Sequence, residues 1–234
     1  MNRKSLNSVN GKFLLIRNAI FVFQKDIQLE FRSRYAINAI FLFAITTLTA
    51  ISFSVGPIHL QTTVLSPLLW IILFFSSMSG LSHIFVREEE QKTADTLRLV
   101  TTPNSIFLGK WMFNITLLVV LEILIVPIYI VLMGVSIESI WSFIVILFLG
   151  TIGLSSVATL IAAIIAQASA KGALFAVLSF PISLPILISG IHATRYAMEG
   201  EGFSSCIPDL QILFSFSVVI ITLSFLLFEF IWRK

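Results

Sequence analysis

Three consecutive carboxylates, Glu88-Glu89-Glu90, followed by Asp95 and Arg98, stand between two long apolar stretches, and one carboxylate, Glu122, stands in the middle of the second. An ionisable residue inside a membrane-length apolar run is costly enough to be a functional-site candidate by default. Glu122 is either a proton site or a protonated acid hydrogen-bonded to a neighbouring Ser or Thr. In the segment from Arg87 to Lys110, acidic residues come early and Arg98 later, which suits the two ends of a helix dipole. Pro103 is expected to stop that helix, because the residue before a proline avoids the α region. Ala94, Leu97 and Val100 give it a narrow apolar edge for docking onto another protein; the alternative is a solvated charged loop.

Other chemistry is sparse. The sequence contains no phosphate-binding Gly-x-x-x-x-Gly-Lys-Ser/Thr loop, no Gly-x-Ser-x-Gly elbow and no His-Glu-x-x-His pair, so neither ATP hydrolysis nor peptide hydrolysis is expected of this chain alone. His59, His83 and His192 are scattered, with His59 and His192 expected in outer loops and His83 near the end of an apolar run. The single Cys206 has no partner for an internal disulfide and is expected in an outer loop. No catalytic residue and no metal site is expected.

The elements that must position these groups are membrane helices. Apolar runs at Ile37–Val55, Val64–Val86, Trp111–Met133, Ile140–Ala166, Ala173–Ile191 and Leu210–Trp232 each approach or exceed the ~20 residues that cross a bilayer. With 57% hydrophobic and 12% charged residues, the chain falls far from the roughly 25% charge of soluble domains. No water-soluble catalytic domain fits between the runs. Lys and Arg gather before the first run, in 87–110, at Lys171 and at the end of the chain, while the other loops hold only Arg195. The positive-inside rule therefore places both termini in the cytoplasm and 56–63, 134–139 and 192–209 outside. The net charge of +3 is a topology signal and implies nothing about nucleic acid. The expected organisation is a cytoplasmic segment over 1–36, a six-helix membrane domain over 37–232 and a tail at 233–234.

Phe13, Ile16, Ile20, Phe23, Ile27 and Phe31 recur at three- and four-residue steps, which predicts an amphipathic helix on the membrane surface. Its basic polar face suits anionic head groups, and Asp26 and Glu30 offer acidic points to a partner. Small residues in the second run (Ser76, Ser77, Ser79, Gly80, Ser82) and the fourth (Gly150, Gly153, Ser155, Ser156, Ala158, Ala162, Ala166) predict close helix packing. Pro181 and Pro185 each remove a backbone hydrogen bond, and a kinked or broken helix is expected there, as a static bend or as a hinge. Glu229 is expected to pair with Arg233.

Three stretches together resemble the haem exporter protein B (CcmB) family of ABC-2-like permeases: Lys25-Asp26-Ile27-Gln28-Leu29-Glu30-Phe31-Arg32; Arg87-Glu88-Glu89-Glu90 through Thr93-Ala94-Asp95-Thr96-Leu97-Arg98-Leu99 and Pro103 to Leu108-Gly109-Lys110; and Gly150-Thr151-Ile152-Gly153-Leu154 through Lys171-Gly172 to Phe180-Pro181-Ile182-Ser183-Leu184-Pro185-Ile186-Leu187. The resemblance covers nearly the whole chain. It implies an all-α integral membrane protein with six transmembrane helices and an N-terminal amphipathic interfacial helix, working as the non-catalytic permease subunit of a cytochrome c maturation transporter in a bacterial inner membrane.

The implied partners are a CcmA-like ATPase that carries ATP-Mg, a CcmC-like haem-handling membrane protein, a periplasmic haem chaperone reached indirectly, and a second copy of this chain. Haem is the implied cargo, with no cofactor bound directly. On this reading Asp26, Glu30, Arg87, Glu88, Glu89, Glu90, Asp95 and Arg98 form the ATPase-coupling interface, and Glu122, Pro181 and Pro185 a hinge or transport path. The rivals are an ABC-2-type exporter of another lipid, glycan or drug, and a stand-alone carrier using Glu122 as its proton site.

Overall fold

The computed structural model describes residues 3–56, 60–81, 83–90, 92–166 and 171–232, with side chains from residue 14 onward except at 83, 171–173 and 176. Among the described residues the chain forms helices and no strand: α1 (Arg3–Ser33), α2 (Tyr35–Val55), α3 (Thr62–Leu81), α4 (His83–Glu90), α5 (Ala94–Val100), α6 (Pro103–Met133), α7 (Ile140–Ile165), α8 (Lys171–Glu199) and α9 (Phe203–Trp232). Among the described residues six stretches are long and apolar enough to cross a membrane: α2, α3 with α4, α6, α7, the Val177–Glu199 part of α8, and α9. The protein is an all-α integral membrane protein with one long helix, α1, outside that set.

Two boundaries differ from expectation. Helix α5 stops at Val100 and Thr102 is extended, φ −76 and ψ 149, as expected ahead of Pro103; the difference is that Pro103 itself opens α6, eight residues before the expected run at Trp111, where its missing N–H costs nothing and its fixed φ suits helix entry. The expected outer loop over 192–209 is mostly helix, since α8 runs to Glu199 and α9 starts at Phe203. There Ala193 and Ala197 are buried one turn apart while His192 and Glu199 face outward, so an amphipathic extension had the charge content of a loop.

Helix α7 is the centre, packed on α6, α8 and α9, while α3 joins α2 to α8. The close approach is organised around Trp70, whose indole N–H donates to Thr194 Oγ1 at 2.9 Å. Its ring lies against Gly150 of α7 and Gly190 of α8, and a Cβ at either glycine would overlap it. Three helices thus meet on one aromatic ring, the arrangement small residues permit where lipid supplies no hydrophobic drive.

At one end of the bundle α1 passes to α2 through a single residue. Arg34 adopts φ 52 and ψ 21, a left-handed conformation uncommon outside glycine, Asn and Asp. This turn lets α1 lie along α6. Gly109 is required there, because a Cβ would sit 2.6 Å from the Ala19 carbonyl oxygen.

Candidate functional site

Helix α1 has three faces. The apolar stripe is divided: Ile16 and Phe31 are 54% and 72% exposed, while Phe23 and Ile27 are half-buried and pack against the bundle. Arg17, Gln24, Gln28 and Arg32 form an exposed polar side. The third face, Ala19, Val22, Asp26 and Glu30, is buried at three- and four-residue steps, the spacing of one helix side.

Asp26 meets a buried charge cluster on that face. The ammonium of Lys110, on α6 and wholly buried, donates to Asp26 Oδ2 at 3.2 Å, to Glu88 Oε1 at 3.1 Å and to the Ile84 carbonyl oxygen at 3.0 Å. Its three donors are all used, and it lies 5.1 Å from the centre of the Phe85 ring. Lys25 adds a second cation, 3.2 Å from Asp26 Oδ1 and hydrogen-bonded to Glu88. Thr93 Oγ1 donates to Glu88 Oε2 at 2.6 Å. Two cations and two anions from α1, α4 and α6 therefore cancel, as burial demands. Burial opposes the charge on Lys25, but Asp26 and Glu88 outweigh it and hold the ammonium above the ordinary lysine value. Glu30, one turn along α1, accepts a hydrogen bond from the Ile37 N–H at 2.9 Å, satisfying an orphan donor in the first turn of α2.

The rest of the acidic segment faces differently. Arg98 of α5 bonds Asp95 Oδ1 at 2.7 Å and Glu89 Oε1 at 3.2 Å, and its guanidinium stacks 5.0 Å from the Trp232 ring of α9. This one side chain ties α5 to α4 and to the end of α9. Leu99 and Val100 of α5 are 88% and 75% exposed, while Ala94 is buried and Leu97 half-buried. Arg87 turns back to Ser33, Nη1 to Oγ 3.3 Å, and Glu90 is exposed.

So the eight acidic and basic residues expected at a partner interface divide: Asp26, Glu30 and Glu88 point inward, Arg87 turns to the α1–α2 turn, and Glu89, Glu90, Asp95 and Arg98 stay with the α4–α5 surface. The apolar edge is carried by Leu99 and Val100 rather than by Ala94, Leu97 and Val100 together. Sequence reading missed Lys110 as a member, although it had a signal. Counting α6 from Pro103 places Lys110 two turns inside a helix, beside the buried Phe107 and Phe113, where a lysine must find carboxylates.

In the middle of the bundle, Thr151 of α7 donates to Glu122 Oε1 at 2.5 Å, which gives that carboxyl a hydroxyl neighbour. Glu122 also lines an apolar groove of about 310 Å³ between α6 and α7, with Val126, Phe143 and Leu147. Pro181 and Pro185 are not brought to it. They lie within α8, which is continuous from Lys171 to Glu199, so the helix is not broken. Pro181 is exposed, along the outer side with Val177 and Ile188, and Pro185 is half-buried; a proline inside a helix is a known cause of bending, here without interrupting α8.

At the other end, His192 Nδ1 is 4.0 Å from Asp209 Oδ1. Arg195 lies 3.8 Å from Glu199, which accepts from Thr62 Oγ1 at 2.5 Å. Cys206 is not a loop residue: it is buried in the first turns of α9, its thiol 3.8 Å from the Ala193 carbonyl oxygen. His59, the His83 side chain and the expected Glu229–Arg233 pair lie outside the described residues. Among the described residues no three His, Cys, Asp or Glu side chains gather as metal ligands.

A family model described as CcmB protein matches residues 17–229 of this chain. Among curated proteins, Heme exporter protein B of Bradyrhizobium diazoefficiens is 26% identical over 165 residues, which span 68% of this chain and 72% of that one. The matched region runs from α1 through all six membrane-length stretches to α9, taking in the buried cluster and the α4–α5 surface; this chain belongs to the CcmB family.

Proposed function

We propose that this protein is the membrane-spanning permease subunit of an ABC-type haem-export complex for cytochrome c maturation. It couples ATP hydrolysis in a separate CcmA-like ATPase to movement of haem, or to release of a haem-loaded periplasmic chaperone, beside a CcmC-like membrane protein. The family membership and the name of the Bradyrhizobium relative support the cargo class. In this reading the protein sits in a bacterial inner membrane as a homodimer with both termini in the cytoplasm, following the Lys and Arg asymmetry.

The observation that carries the reading is α5, a short helix with its apolar edge outward and its anchor inward. Leu99 and Val100 are available to a partner, and Arg98 connects that contact to α4 and to Trp232 of α9. A push on α5 therefore reaches two membrane helices directly. Asp95, Glu90 and Glu89 supply the charged rim of the contact. The inward residues Asp26, Glu30 and Glu88 pass its motion to α1 and α6.

The test is complementation of a deletion strain, staining membranes for covalently bound haem. Wild type restores c-type cytochromes; Leu99→Asp with Val100→Asp leaves the protein in the membrane but restores none, and fails to stimulate the partner ATPase. Normal cytochromes in the deletion strain would overturn the cargo, and full activity of the double variant would overturn the coupling surface.

A further inference from the structure

The turn between α1 and α2 forms one wall of a groove of about 400 Å³, lined by Ser33, Tyr35, Arg87 and Glu90. It adjoins a smaller cavity of about 50 Å³ that shares Tyr35 and Arg87 with it. We propose that this groove binds the phosphate of an anionic phospholipid from the leaflet in which α1 lies.

Charge is the first argument. Arg87 and Ser33 present a guanidinium and a hydroxyl 3.3 Å apart, a pair of donors suited to phosphate oxygens. Ser33 is flanked in sequence by Arg32 and Arg34, both exposed. Arg87 and Glu90 are the charged residues of the groove lining, Arg32 and Arg34 stand next to Ser33 in sequence, and the carboxylates of the adjoining cavity, Asp26, Glu30 and Glu88, are already committed to Lys110 and to the Ile37 N–H, so the uncommitted charge beside the groove is positive.

Position is the second. The exposed Phe31 precedes the turn, and Tyr35, 56% exposed, opens the first membrane-length helix. A half-exposed tyrosine at that depth marks the head-group level. Seven residues on, Leu42 lies on the same side of α2 and is 69% exposed, and Ile45 and Phe53 continue that surface as a track for an acyl chain. Backbone conformation is the third. Arg34 occupies a left-handed position that glycine would fill without strain, so a cationic side chain is held at the turn despite a conformational cost.

The experiment is native mass spectrometry of the full chain purified in detergent, with phosphatidylglycerol and phosphatidylethanolamine supplied together. Wild type is expected to retain phosphatidylglycerol in preference. Arg87→Gln should reduce that retention by about five-fold or more. Arg32→Gln with Arg34→Gln, both at exposed positions, should reduce it similarly, while Arg87→Lys keeps part of it and Arg17→Gln, on the polar side of α1, keeps all. Undiminished retention in Arg87→Gln together with the Arg32 and Arg34 double variant would overturn the site. Equal retention of the two lipids by wild type would overturn the anionic preference. Displacement of the retained lipid by inorganic phosphate at matched concentration would show a phosphate site without a lipid occupant, and would overturn the proposal as stated.

Discussion

Charged residues meet at both ends of this bundle, under different rules. At the α1 end, Lys110, Asp26 and Glu88 are removed from solvent and every donor of Lys110 is matched. At the opposite end, His192, Arg195 and Glu199 are partly or largely exposed, and their pairings stretch to 3.8–4.0 Å. Pairs of the second kind contribute little, because water already solvates their members. The first kind is weak evidence of stability but strong evidence of dependence, since removal of one partner strands the others without solvent. A charge cluster in a membrane protein is therefore read by its burial and completeness, and sequence proximity to the bilayer edge does not distinguish the two.

The sharpest way to break the comparison is Lys110→Met. It leaves Asp26 and Glu88 with Lys25 alone and should cost about 3–5 kcal/mol, seen as earlier thermal unfolding in detergent. Neutralising the whole cluster, with Lys25→Met, Asp26→Asn and Glu88→Gln added, should recover much of that loss. A quadruple variant no better than the single one would show that the cluster is stabilised by more than charge balance. Next in size is Gly109→Ala, which sets a Cβ against the Ala19 carbonyl and the Val22 side chain. A displacement of α1 costing roughly 1–3 kcal/mol is expected, with faster limited proteolysis within α1.

A pH series sharpens the contrast at the α1 end. The Lys25 ammonium is held above its ordinary value of 10.5, so its contribution is fully present below that value and is lost as pH rises through the higher folded value. Protease resistance of α1 should be flat from neutral pH to about that of free lysine and fall only beyond it. A fall beginning near neutrality would place the controlling group elsewhere. The smallest effect belongs to the far end: Arg195→Ala should change stability by no more than about 1 kcal/mol, measured in the same melts as Lys110→Met.

The six membrane-length stretches, the surface helix and the acidic segment were all legible in the sequence, because length, hydropathy and period are local properties. The cluster was not. Lys110 bonds residues 84 and 22 positions away, and no local pattern links Asp26, Glu88 and Lys110 before the helices cross. Three same-sign neighbours, Glu88, Glu89 and Glu90, look alike in sequence; a helix turns each by about 100° from the last, so one is buried, one half-buried and one exposed. The same geometry explains the prolines, whose spacing of four marks one side of α8 but not whether that side faces the bundle. Thr151, by contrast, answers the expected hydroxyl partner for Glu122, because a carboxyl in that setting had few alternatives.

The joint of α1, α4 and α6 also imposes an order of assembly. Asp26 leaves the ribosome 84 residues before the lysine that completes its site, and that lysine emerges only after α2 and α3 have been synthesised. Until α6 arrives, α1 lacks its docking face, and the nascent chain carries buried-to-be carboxylates in water. The third membrane-length stretch is thus the step at which the surface helix becomes fixed, and a protein truncated before it would display α1 as a loose, protease-sensitive arm.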